Sequence, residues 1–328
     1  MALLGCSRKP HGPVLVYRNS YGAIDVLLNP APIRLTSGGV FEGEPAAVRF
    51  RSGDVLAGAR GQGNSLWFNW WRQGTWKWVG WMTASALTSG NPSIANKTSS
   101  DHEVALVAVR DLSGAFWTAR VTPSENGTPW QNHHGIFRSD PALVYSGRDK
   151  FLLIGIDLNS VAWSALLNDE GGIDRAWKQT GALLAGNVCG IEGPGMALLA
   201  GRDTSNVIGI LRVSINGDNQ WTRTGLVSPH DPGCARFGDE LIVSAIDKAG
   251  ELYVNHCSIG VVPKCAEWKF MGASVESAAV GVWDGSYYLF IRTADNSVAR
   301  WSSATGEWRG VIWGSLARGR LIAPPSTY

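Results

Sequence analysis

The stretch NSLWFNWWRQGTWKWVGW, residues 64 to 81, carries six of the chain's sixteen tryptophans. An indole is a flat apolar ring with one N–H donor, so a partly exposed one stacks on the C–H face of a sugar or on a polyene. Groups that grip polar ligands lie elsewhere in the chain: Arg18, Arg60, Arg110 and Arg202 each close an apolar run, and His133, His134, His230 and Asp231 fall in later connections. A guanidinium suits a hydroxyl pair or a carbonyl, and equally a neighbouring carboxylate. Acid–base and metal chemistry have less to work with, because the sequence has no HExxH, GxSxG, P-loop or calcium loop. His133 and His134 are adjacent, so on a strand they diverge, and neither a metal nor a cofactor is expected.

The elements that position these groups repeat. Apolar runs ending at a small polar turn recur as VLVYRNSYG, VLAGARGQGN, LVAVRDLSG, LLIGIDLNS, LLAGRDTSN, LIVSAIDKAG and YLFIRTADNS. The turns start at Asn19, Gly61, Asp111, Asp157, Asp203, Asp247 and Asp295, a period of about 47 residues. Six residues after each turn start stand Asp25, Trp67, Trp117, Trp163, Gly209, Tyr253 and Trp301. A second column follows at Trp76, Trp130, Trp177, Trp221, Trp268 and Trp308, four of them followed by glycine at the fourth position. The aspartates suit Asx turns.

With 40 glycines and charged residues at only 17%, such a unit reads as four short strands, the blade of an all-β propeller. The expected fold is one seven-bladed β-propeller domain of four-stranded blades over residues 1–328, after a tail at 1–8. Blades begin near Glu44, Asn91, Asp140, Asn187, Asp231 and Ser277, and a split seventh combines 9–40 with 319–328, so that strands from the two termini pair and close the ring.

Segments such as FIRTADNSVARWSSATGEW and LIGIDLNSVAWSALLNDEGGIDRAWKQTG resemble the repeats of the Photorhabdus-type lectins. That resemblance covers nearly the whole chain and implies a propeller with sugar pockets between blades. The repeats of those lectins are nearly identical, whereas here Gly209 and Asp25 share a column with Trp67. Diverged blades suit one specialised pocket, as in the fungal hetero-Diels–Alderases of tropolone sesquiterpenoid pathways, which resemble this lectin fold too.

Subtracting the two columns leaves Trp70, Trp71, Trp78, Trp81, Trp283 and Trp313 surplus, four of them in one blade. The expected site is therefore aromatic and single, built from Trp70, Trp71, Trp78 and Trp81 with Arg60, Arg110, Trp117, His133 and His134. The expected function is carbohydrate binding. The alternatives are an enzyme that orients a reactive small molecule, as a pericyclase does in natural-product biosynthesis, and a protein-interaction scaffold. The expected partner is a glycan or small molecule, not nucleic acid, since the net charge of +2 is spread out with no like-charge block, and no apolar run is long enough for a transmembrane helix. MALLGC has the look of a lipoprotein box at Cys6, without the basic and apolar regions that a working signal needs. Cys257 and Cys265 flank SIGVVPK and suit a bridge, Cys189 and Cys234 begin the innermost strands of consecutive blades, and NKT at Asn96 and NGT at Asn126 are glycosylation sequons. Together these point to an extracytoplasmic, secreted protein.

Overall fold

The structure is a computed structural model that describes residues 15–28, 33–97, 104–122, 129–312 and 317–323. Cys6, Asn126 and Trp313 lie outside the described residues, as do residues 1–14 and 324–328. Among the described residues the chain is all β apart from one 3₁₀ turn at Gln62–Asn64, and no helix is long and apolar enough to cross a membrane.

The strands form a β-propeller of antiparallel sheets. Six sheets have four strands; five of these span 93–132, 142–183, 189–227, 233–274 and 277–312. The sixth is a terminal sheet in which Leu15–Asn19 lies between Ile24–Leu28 and Ala317–Ile322, with Ile33–Thr36 outermost. This overturns the expected seven four-stranded blades. The four-stranded blades are six, and the 46–87 sheet has five strands because its outer edge is broken: Lys77–Trp78 pairs with Trp71 and Arg72, whereas Met82–Leu87 pairs further back, with Ser65, Trp67 and Phe68.

Apolar side chains alternate along the inner strands and fill the spaces between sheets. Val48, Leu56, Phe68 and Trp70 pack with Val107 and Val109 of the next sheet; Leu106 and Phe116 pack with Phe151 and Leu153; Ile154 and Leu184 pack with Leu199 and Leu211. The last interface returns to the start, with Phe290 and Val298 against Leu15 and Tyr17. Each large aliphatic or aromatic side chain buried there stabilises the fold by roughly 1.5–3 kcal/mol.

Two disulfides reinforce this frame. Cys189–Cys234 joins the innermost strands of two successive sheets, and Cys257–Cys265 closes the connection between the two outer strands of the 233–274 sheet. The Asn96 sequon is not available: the side chain is 4% exposed and its amide donates to the Arg49 carbonyl at 3.1 Å.

Candidate functional site

The turn aspartates hold the repeat together. In Asp111, Asp157, Asp203 and Asp247, Oδ1 accepts the backbone N–H groups two and four residues on, at 2.8–3.0 Å. Oδ2 then takes the indole N–H of the first tryptophan column, Trp117 to Asp111 at 2.8 Å and Trp163 to Asp157 at 2.9 Å. Burial alone would push the Asp111 carboxyl up, but donors from Ser113, Trp117 and Ala115 outweigh it and hold the group below the usual carboxylate range. Trp117 is thus tied to its own turn. Where Gly209 removes the indole, Arg223 supplies the cation that meets Asp203 Oδ2, at 2.7 Å.

The second column is set by sheet register. Trp130, Trp177 and Trp268 donate their indole N–H to carbonyls of the preceding sheet, those of Ala84, His133 and Thr224, at 2.8–3.1 Å. In the 46–87 sheet Trp81 makes this contact, with Ser37 and Gly38 at 3.2 Å, and Thr83 two residues on pairs with Trp67. Gln179 likewise pairs with Trp163, and Asn132 with Trp117. Trp81, not Trp76, therefore occupies the column. Trp76 was placed there by its spacing to Gly80, but the residue four after the true column member is a left-handed one: Ser85 (φ 52°), His134 (55°), Gly181 (81°), Gly225 (89°) and Gly272 (70°).

The surplus indoles divide into buried and accessible. Trp70 and Trp71 are 0% and 1% exposed, Trp70 stacked on Phe50 with the Arg72 guanidinium over its ring, Trp71 edge-on to Trp76. Neither leaves a face for a ligand, which corrects their assignment to the site: adjacent strand residues do point to opposite faces, but in this sheet both faces are packed. Trp76 is 43% exposed, and Trp78 and Trp81 are half-buried, stacked at 6.2 Å, with Phe41 against Trp81 at 4.2 Å.

The expected site residues do not converge. Arg60 pairs with Leu66 at the start of Ser65–Arg72, and Trp71 with Trp78 near its end, five residues or about 16 Å away at ~3.3 Å per residue. Arg60, Arg110, Trp117, His133 and His134 all belong to the end of the propeller where the turn aspartates sit, whereas Trp70, Trp71, Trp76 and Trp78 belong to the other. The arginines are committed as well: Arg60 to Glu42 and Asn64, Arg110 to the Phe137 carbonyl, Arg202 to Asp231 and Asn206.

His133 is 2% exposed, with Nε2 2.7 Å from Thr118 Oγ1. The Thr118 hydroxyl donates to the Gly171 carbonyl, so Nε2 carries the proton and donates to it. Burial, with a smaller contribution from His134, brings the His133 pKa down to about 4. His134 is exposed and has a left-handed backbone, φ 55°. Sequence reasoning missed a second histidine, His256, whose Nδ1 lies 2.8 Å from Glu240 and Nε2 3.2 Å from the Tyr287 hydroxyl; Glu240 pairs with Ser258 and Ile242 with His256, so Glu240 and His256 are diagonal neighbours on paired strands, a relation that only register reveals. Among the described residues no group of three or more His, Cys, Asp or Glu is placed to hold a metal ion.

Around the axis, at the end of the turn aspartates, the residues that open successive units form a ring. Asn91 Oδ1 accepts from Glu44 N at 2.7 Å, Asp140 Oδ1 from Asn91 N at 3.0 Å, Asn187 Oδ1 from Asp140 N at 2.9 Å, and Asp231 Oδ2 from Asn187 N at 3.0 Å. Glycine precedes Asn91 and Asn187 for a steric reason: a Cβ at Gly90 or Gly186 would sit 2.1 or 1.9 Å from the next ring carboxylate. Beside Asp231 lies a cavity of about 240 Å³.

No protein-family model matches the chain, and no curated protein matches it in sequence. Solved structures do match in fold. A functionally unknown protein from Desulfotomaculum acetoxidans aligns at TM-score 0.66 and 12% identity, covering 96% of this chain and 100% of that one. The BP39L lectin from Burkholderia pseudomallei aligns at TM-score 0.61 and 16% identity, covering 92% and 94%. A variant of the Aleuria aurantia lectin AAL in complex with Fucα1-6GlcNAc aligns at 0.53 and 12%, covering 81% and 94%. At these identities the likeness is one of β-propeller architecture, shared with lectins.

Proposed function

We propose that this protein is a carbohydrate-binding propeller and that its ligand surface is the indole edge of the 46–87 sheet. The observation that carries this reading is the partial accessibility of Trp76, Trp78 and Trp81 within six residues at the broken outer edge of the sheet. Apolar faces flanked by polar backbone suit the C–H face of a pyranose ring, and each stacking ring contributes about 1–3 kcal/mol. Two lectins share the architecture, one solved with a fucosylated disaccharide. The two disulfides support maturation in an oxidising compartment, and we propose an extracytoplasmic location on that ground.

A glycan array tests the reading. The wild-type protein is expected to bind a restricted set of glycans, and Trp78→Ala to lose that signal while keeping its melting temperature within a few degrees. An array on which wild type binds nothing, or on which Trp78→Ala binds like wild type, contradicts it.

A further inference from the structure

Among the described residues the axial ring runs from Glu44 to Asp231 and stops there. Four successive junctions are closed by a side chain that caps the preceding unit's N–H, but among the described residues nothing accepts from the Asp231 N–H. The next unit has Ala278 at the ring position, with no side-chain acceptor to offer; two residues before it, Glu276 donates its N–H to the Arg292 carbonyl, as Glu42, Ser89, Arg138 and Ala185 do to theirs, and its exposed carboxylate has no hydrogen bond or ion pair among the described residues. The exposed imidazole of His230, which stands before Asp231 where glycine stands before Asn187, is also without a partner among the described residues. The cavity lies at this gap, lined by Glu44, His230, Asp231, Glu276 and Arg292 together with the apolar Ala245, Ile246 and Ala278.

We propose that this gap is a binding site, separate from the indole edge, for one small neutral polyhydroxylated molecule such as a free monosaccharide or cyclitol. Size sets the first condition: a cavity of about 240 Å³, open to solvent, admits one sugar ring. Charge sets the second. Glu44 lies 3.8 Å from Arg18 and Asp231 2.9 Å from Arg202, and Glu276 shares the cavity with Arg292, so acids and cations balance and a charged ligand gains little. Chemistry sets the third, because acceptors at Glu276 and His230 line the same cavity as Asp231, whose N–H is a donor, and vicinal hydroxyls satisfy both kinds at once. At the four capped junctions a side chain already accepts the corresponding N–H. The repeat is thus completed by the ligand where the protein leaves it incomplete.

Titration calorimetry and saturation-transfer NMR of the full chain with glucose, galactose, mannose and myo-inositol test this site. At least one probe is expected to bind at a stoichiometry of one. Glu276→Gln is expected to weaken it about tenfold, as for a lost hydrogen bond to a charged group. Ala278→Leu, which fills the cavity, is expected to abolish binding with the melting temperature retained, and Trp78→Ala to leave it unchanged. Silence from all four probes on folded wild-type protein overturns the proposal, as does binding that Glu276→Gln and Ala278→Leu both leave intact. Loss with Trp78→Ala instead assigns the binding to the indole edge and equally overturns it.

Discussion

Asp203 and Asn19 show how single residues keep one turn chemistry while the sequence drifts. Asp203 exchanges an indole partner for Arg223, and Asn19 donates to Asp25 at 3.1 Å while its own Oδ1 accepts the turn N–H groups of Tyr21 and Ala23. His133 is the residue whose titration the fold controls. Its folded pKa of about 4 lies below the ordinary 6.5, so between these values the unfolded chain binds a proton that the fold excludes. Stability is full above about pH 6.5 and falls as pH drops toward 4, by about 3 kcal/mol in total. Denaturant melts of wild type and His133→Gln across that range check this, and equal slopes for both would refute it. Trp70→Ala is expected to cost about 3–5 kcal/mol as a cavity in the core, measurable by the same melts with no ligand present.

At the scale of the element, the repeat period and both columns were legible because turn chemistry and indole size recur in sequence. The identity of one column member was not. Trp76-x-x-x-Gly80 copies the spacing of Trp177-x-x-x-Gly181, but the left-handed bulge that the spacing encodes is built at Ser85, with Trp81 as the indole. The burial of Trp70 and Trp71 was illegible for a related reason: alternation assigns faces, and only packing says that both faces are covered. The bulge yields its own prediction. Ser85→Gly relieves a left-handed φ of 52° and is expected to raise stability by up to about 1 kcal/mol, whereas Gly181→Ala, at φ 81°, is expected to lower it by a similar amount. Thermal melts of the two variants read the opposite signs, and shifts of the same sign would contradict the register assignment.

For the whole molecule, composition and period led to an all-β propeller, while the strand count failed at the sheet that the extra tryptophans distort. The axial ring was out of reach of sequence reasoning because its members lie 44 to 49 residues apart and meet only once the sheets close around the axis. Closure depends on pairing Ala317–Ile322 with Leu15–Asn19, so deleting residues 317–328 is expected to leave an open edge and give aggregated or much less stable protein. Removing Cys189–Cys234, a sequence separation of 45, is expected to cost on the order of 4 kcal/mol in the chain-entropy picture, read as a lower denaturation midpoint for the double serine variant. Glycan binding at the indole edge, the proposed function, can be measured in solution. Its most direct measurement is calorimetry with the glycan chosen on the array, comparing wild type with Trp78→Ala and Trp81→Phe. The account predicts one glycan per chain, affinity lowered at least about tenfold by Trp78→Ala, and near wild-type affinity for Trp81→Phe, which keeps a ring face. Several equivalent sites per chain, or one site indifferent to Trp78, would contradict it.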